Sequence, residues 1–291
     1  MAISKLFKNR IRKLKEEYDR LKIGKDSLLK IIDEAEIAES VYNSNAIENS
    51  TLTLKETEKL LLEMEVSRNI SLREVFEAKN LARVMEYIRN KSSEDLSKEI
   101  ILLLHKTLIG NIDESISGRF RKKNEYVRVG AYITPAPEHI DFMIEQALIQ
   151  YSSDQETYFT DKVALFHLNF ENIHPFNDGN GRIGRVIVNH QLYRLGFPGI
   201  IIRDKEKSIY YRSFNEFRDN KKTKTMEKVI ALALTESMHK RITYLKGDNI
   251  IELTEYAKKI GKMAPTILNA AKRQTIKAFR EKGIWKIGEL Q

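Results

Sequence analysis

Twelve consecutive residues, His174-Pro175-Phe176-Asn177-Asp178-Gly179-Asn180-Gly181-Arg182-Ile183-Gly184-Arg185, hold most of the chemistry legible in this chain. A histidine is the natural general base near neutral pH. Asp178, four residues on, supplies the hard oxygen that magnesium takes, an ion content with one or two protein carboxylates beside phosphate oxygens. Gly179-Asn180-Gly181 lets the backbone turn its amides toward an anion, as at phosphate-binding helix starts. Arg182 and Arg185 stand three residues apart, so on the opening turn of a helix they share a face and can address one polyphosphate. Read separately, Asp-Gly-Asn-Gly is a turn and His-Pro-Phe a packed corner. Together they describe a phosphoryl- or nucleotidyl-transfer site.

The run resembles the signature of the Fic family, HPFx(D/E)GNGRxxR, with every constrained position matched and Asn177, Ile183 and Gly184 in variable ones. The segment Phe166-His167-Leu168-Asn169-Phe170-Glu171-Asn172-Ile173 is similar to the helix that precedes the family's loop, and the likeness reaches over residues 36–240. It implies a protein adenylyltransferase that moves AMP from ATP, with Mg2+, onto a Ser, Thr or Tyr hydroxyl of a target protein or of itself. In those terms His174 would deprotonate the hydroxyl and Asp178 would hold magnesium. Asn180 and the Gly179 and Gly181 amides would cradle the α- and β-phosphates, and Arg182 and Arg185 would clamp the β- and γ-phosphates. Phe176 belongs to the same nucleotide-binding set. The Doc branch has alanine and lysine in place of Gly179 and Gly181 and binds nucleotide in the opposite sense, which favours AMP transfer here.

Three further elements follow from the likeness. Ser44-Asn45-Ala46-Ile47-Glu48-Asn49 matches the pattern [S/T]xxxE[G/N] of an inhibitory helix. Ser44 and Glu48 would lie one helical turn apart, with the carboxylate pairing Arg185 where a γ-phosphate would sit and Asn49 closing the pattern. Residues 126–134 fit a flap that adds an extended target segment as a strand. Tyr210 and Tyr211 fall where a tyrosine often lines the nucleotide.

The elements that position these groups read as mainly helical. Ile11, Leu14, Tyr18 and Leu21 form an amphipathic seam within residues 5–30. Ser71 and Glu74 form a capping-box pair, with Ile70 and Val75 as a hydrophobic staple. A helix from Lys98 to Ile109 stops at Gly110. Val127 and Val129 flank Arg128 ahead of Gly130, a short strand or hairpin ended by Pro135 and Pro137. Helical patterns resume over 138–151, 161–172 and 183–195, and again near Ser208. The expected fold is a Fic-type helical core with a small β-hairpin flap.

The pattern resets at Lys246-Gly247-Asp248-Asn249, which divides the chain into an N-terminal extension (1–35), a catalytic domain (36–247) and a tail (248–291). In the tail Thr254 caps a helix ended by Gly261, Pro265 opens a second, and Phe279-Arg280 and Trp285-Lys286-Ile287 flank a hairpin wing. This order resembles winged helix-turn-helix DNA binders. Nine Lys or Arg against five Asp or Glu, with Asn269, Lys272 and Arg273 on the reader helix, suit a DNA partner. The rival whole-chain reading is a DNA-binding regulator that keeps the loop as a nucleotide sensor.

Bulk composition bounds the rest. Hydrophobic residues make up 42% of 291, enough for a packed core, and the net charge of +9 favours polyanions. Cysteine is absent, which removes disulfides and thiolate chemistry and fits a reducing compartment. His105, His139, His167, His190 and His239 show no zinc-site spacing. With no membrane-length apolar run and no signal-peptide core after Met-Ala-Ile-Ser-Lys, the expectation is a soluble, cytoplasmic protein without a membrane partner.

Overall fold

A computed structural model describes residues 4–66 and 69–289; the opening Met1-Ala2-Ile3 and the last two residues of the tail lie outside it. The chain forms two compact units, one of Ile37–Phe197 and Ile201–Glu227, the other of Met1–Glu36, Pro198–Ile200 and Lys228–Gln291. The first helices are α1 (Lys5–Leu21), α2 (Asp26–Ile47) and α3 (Leu54–Glu58), the last continued by a π turn over Lys59–Glu63. Next come α4 (Leu72–Asn90) and α5 (Lys98–Ile109), then a hairpin of β1 (Arg128–Val129) and β2 (Tyr132–Ile133). The helices α6 (Ile140–Ser153), α7 (Phe159–Ile173), α8 (Asn180–Arg194), α9 (Lys207–Asn220) and α10 (Lys224–Lys246) follow.

In the larger unit Leu81 and Val84 of α4, Leu104 and Leu108 of α5, Phe170 of α7 and Ile183 and Ile187 of α8 share one core. Side chains of this size each stabilise by roughly 1.5–3 kcal/mol on full burial. Nearly every residue of α8 from Asn180 to Leu192 is buried. The helix that opens with the signature run is therefore held on all sides, which fixes its first turn. Ser71 caps α4 by accepting from the Glu74 amide at 3.2 Å. The Glu74 carboxylate does not return to the Ser71 amide as a capping box would. It accepts from Ser50 Oγ (3.1 Å) and the Thr51 amide (2.6 Å), anchoring the chain just beyond Glu48. The complete capping box is at Thr53 and Glu56. The flap region is an antiparallel hairpin, Arg128 opposite Ile133 and Val129 opposite Tyr132, turning at Gly130 with φ +60°.

The other unit holds α1, whose buried stripe is Ile11, Leu14 and Tyr18. That helix ends at Leu21, short of the 5–30 run, because the chain turns through Gly24 at φ +71°. The tail comprises β3 (Asn249–Glu252), α11 (Leu253–Lys259), α12 (Ala264–Lys272), β4 (Ala278–Glu281) and β5 (Ile284–Glu289), in a sheet of order β3-β5-β4. Lys282 and Gly283 both take positive φ, the two-residue hairpin turn. Strand β3 has no counterpart in the sequence reading, and α11 is capped by Glu252 rather than Thr254. Gly247 does end α10, at φ +72°, but the units do not divide there. Arg280 pairs with Glu236 at 2.6 Å, Lys240 with Glu281 at 3.3 Å, and His239 Nδ1 meets Gln274 at 2.8 Å. These buried polar contacts join the tail to α10 across the expected boundary.

Candidate active site

The signature loop is held by groups inside it and by two side chains far from it in sequence. His174 terminates α7 in the left-handed region (φ 52°, ψ 63°), its amide donating to the Phe170 carbonyl at 2.9 Å. Non-glycine residues take that conformation at a cost and cluster at active sites. The Asn180 carboxamide accepts from the Phe176 amide (2.9 Å) and donates to the Phe176 carbonyl (2.8 Å), closing the loop on itself. Its side chain therefore shapes the cradle instead of facing a phosphate. Phe176 is fully buried and stacks on His105 at 3.7 Å, so it anchors the loop in the core. Gly179 caps α8 at φ +81°, and the first-turn amides of residues 180–182 have no acceptor within their helix.

The two arginines do not converge. Arg182 turns toward α4, pairing with Glu77 (3.1 Å) and Asp178 (3.0 Å), and its side chain is 4% exposed. Asp178 also pairs with Arg73 of α4 and accepts from the Gly179 amide at 2.6 Å. Burial opposes its ionisation, but Arg182 and Arg73 outweigh it and hold the carboxyl below its ordinary range. Arg185 turns the other way, into a cavity of about 280 Å³ that Glu48, Glu171, His174, Tyr210 and Tyr211 also line. Three helix positions separate the two side chains by only about 60° around the axis, so it is their partners, Glu77 on one flank and Glu48 on the other, that draw the heads apart.

Around Arg185 the inhibitory pattern is assembled. Nε donates to Ser44 Oγ at 3.0 Å, while Nη2 donates to the Ser44 carbonyl and to Glu48 Oε1 at 2.8 Å each. A Cβ placed on Gly181 would lie 2.2 Å from Glu48 Oε1, so that carboxylate rests directly on the opening turn of α8. Asn49 leaves the helix at φ +67°, a conformation asparagine tolerates. Tyr211 donates to the Ile47 carbonyl at 2.9 Å, and the buried Tyr210 hydroxyl lies 2.8 Å from His167 Nε2 and 3.4 Å from Arg185 Nη1. Burial works against the Arg185 charge, yet Tyr210 and Glu48 favour it more and its pKa rises. Burial also pushes the Tyr211 hydroxyl up to about 12.

His174 lies in the same cavity with its pKa lowered to about 4 by burial and by the Arg121 guanidinium, so it is a neutral imidazole near pH 7. Arg121 is 3% exposed and binds the carbonyls of His174 (2.9 Å), Pro135 (2.9 Å) and Glu125 (2.9 Å). It thereby ties His174 to the residues just after the hairpin. His105 donates through Nε2 toward the Asp178 carbonyl (3.1 Å) and accepts from the Gly118 amide at Nδ1 (3.1 Å). Arg218 stands over the Tyr132 ring at 4.4 Å, with the Tyr132 hydroxyl on the Asn172 carbonyl. Arg73, Glu77 and Arg121 are absent from the sequence reading, and Glu171 enters it only as part of the helix before the loop. Arg73, Glu77 and Arg121 work through partners distant in the chain, and no spacing rule signals them.

A family model described as Fic/DOC matches residues 95–192, the stretch that carries His174 and Arg185. Residues 95–192 form a Fic domain. Protein adenylyltransferase Fic of Drosophila melanogaster is 29% identical over 258 residues, covering 84% of this chain and 50% of that protein. The Nematostella vectensis protein of the same name is 30% identical over 223 residues, covering 74% and 51%. A Fic-domain-containing signaling protein from Bacteroides thetaiotaomicron superposes with a TM-score of 0.75 at 26% identity, over 82% of this chain and 97% of that one. The chain thus spans about half the length of the curated relatives it matches, while the Fic fold itself is present. Among the described residues no helix is long and apolar enough to cross a membrane.

Proposed function

We propose that the chain transfers AMP from ATP to a hydroxyl of a protein and that Glu48 restrains this reaction until it is displaced. The observation that carries the reading is the Glu48 carboxylate, seated on Gly181 and bonded to Arg185 in the cavity that also holds His174. A carboxylate at a helix start beside a buried guanidinium stands in for a phosphate oxygen. With Glu48 withdrawn, the α8 amides and Arg185 would bind the triphosphate. The target hydroxyl would attack the α-phosphorus, His174 would take its proton, and the bond to the β-phosphate oxygen would break to release pyrophosphate.

The neutral state of His174 supports its role as base. Asp178 is one carboxylate, which suits magnesium bound largely by phosphates, and it would hold the ion once Arg73 or Arg182 gives up an oxygen. Bound magnesium would supply charge neutralisation on the phosphates. The hairpin at Arg128–Val129 and Tyr132–Ile133 would receive an extended target segment. A DNA role for the tail draws its support from exposed Asn269, Lys272 and Arg273 on and just beyond α12. The wing adds less charge, because Arg280 and Lys286 are engaged by Glu236 and Glu281.

The test is intact-mass measurement after incubation with ATP and magnesium, for wild type and Glu48→Gly. One AMP gained per modified side chain in the variant, and little in wild type, is the expected result. No gain in either, with or without added candidate proteins, would remove the transferase reading.

A further inference from the structure

Glu171 is the one acidic side chain in the cavity that neither the loop signature nor the inhibitory pattern explains. It lies three residues before His174 on α7, is 6% exposed, and lines the cavity. Its Oε2 is 4.0 Å from His174 Nδ1, and neither that nitrogen nor Glu171 Oε1 has a hydrogen-bond partner among the described residues. A buried polar pair left this way calls for an explanation. The packing shows that Glu171 is placed there by the fold. A Cβ on Gly184 would meet Glu171 Oε1 at 2.6 Å and the His167 ring at 2.7 Å, so α8 approaches this carboxyl only because residue 184 is glycine.

We infer that Glu171 is a positioning residue for His174, its carboxyl holding Nδ1 so that Nε2 serves as the base, and that the charge of Glu48 governs how strongly it does so. The inference rests on the transferase reading for its consequence, though not for its geometry. An imidazole that donates from Nδ1 to an acid presents an unprotonated Nε2, and an ionised acid makes that nitrogen more basic. The ionisable groups that face Glu171 are Glu48 from α2, His167 on α7 itself, His174 and Arg121 at the loop, Arg185 from α8, and Tyr210, Tyr211 and Arg218 from α9. Burial and the Glu48 carboxylate push Glu171 up to about 8, against Arg185 and Arg218. Below that pH the acid is neutral; above it a carboxylate faces Nδ1. Removing the Glu48 charge removes the repulsion and moves ionisation to lower pH. A competing holder exists, since the Glu171 backbone carbonyl also faces His174. That carbonyl would act the same way whatever side chain stands at position 171.

The experiment is a pH titration, from about 5 to 9.5, of the full chain labelled with ¹⁵N-histidine, with His174 assigned by His174→Ala. It is run without nucleotide on wild type, Glu48→Gly and Glu171→Gln, whose folding is checked by circular dichroism. Wild type should show an Nδ1-protonated tautomer whose signals shift with a midpoint near 8. In Glu48→Gly the midpoint should fall, and in Glu171→Gln the inflection should vanish. In the Glu48→Gly background, Glu171→Gln should lower kcat for transfer by about tenfold with KM for ATP nearly unchanged. Flat wild-type signals, or an inflection that survives Glu171→Gln, would overturn the inference. An unmoved midpoint in Glu48→Gly would overturn the link to Glu48, even if Glu171→Gln failed to fold. Absence of transfer in every variant would count against the transferase reading alone, because the titration needs no turnover.

Discussion

Two regions rich in charge, the first turn of α8 and the tail, differ in what their charges do. In the tail, cations are already matched by acids: Arg280 with Glu236 of α10, Lys286 with Glu281, Lys259 with Glu289. Around α8 the pairing is different in kind. Arg185 is fully enclosed and meets Glu48, a side chain that is 35% exposed on the rim of a cavity. Near it, Glu171 and His174 keep polar atoms without a partner. An exposed pair such as Lys259 with Glu289 contributes little. A buried cation paired with a half-exposed acid, beside a histidine nitrogen with no partner among the described residues, is the arrangement the proposed function draws on.

The comparison is most sharply tested at the base. His174→Ala should cut transfer by about 10²–10⁴ while ATP affinity, followed by calorimetry, stays close to wild type, because a base acts in the transition state. Near wild-type turnover would deny His174 its role. Next in size is Glu48→Gly. A charge-assisted bond contributes about 1.5–3 kcal/mol, so its loss should raise transfer by about one to two orders of magnitude. Adding Arg185→Ala should erase the gain, and activation by Arg185→Ala alone would mean the brake is misassigned.

A smaller effect is expected at Arg121. Its alanine variant strands several loop carbonyls, so a destabilisation of about 1–3 kcal/mol in urea melts should accompany slower transfer. Slower transfer with unchanged stability would indicate a direct role in chemistry instead. The smallest effect belongs to the tail. If Lys272 and Arg273 meet phosphates, each alanine variant should reduce the salt slope of DNA binding by about 1. Salt-independent binding, or none, would leave the tail as a packing module.

The placement of some of these residues was legible in advance. That Gly179 opens a helix and that Ser44 and Glu48 stand one turn apart follow from local rules. Where the side chains of Phe176, Asn180 and Arg182 would turn was not legible. Each is buried against something remote or turned back on the loop: Phe176 on His105, Asn180 on Phe176, Arg182 on Glu77. Arg121 and Glu171 carried no signal, since nothing local distinguishes a buried arginine or glutamate from the exposed ones around it. The tail is joined to its neighbour by contacts that are equally remote in sequence. Gly247 announces a helix end, and only the buried pairs beyond it show that the compact unit continues.

By itself, then, the order of residues determined most of the helical elements and the glycine-opened start of α8. Those depend on φ/ψ preferences and on periodicity, which act over a few residues. Tertiary structure alone decided which side of α8 each arginine faces, that Glu48 rests on Gly181, and that Gly184 packs against the Glu171 carboxyl. These are close contacts between segments up to about 140 residues apart. Their energies come from desolvation and charge pairing that exist only once the core has excluded water.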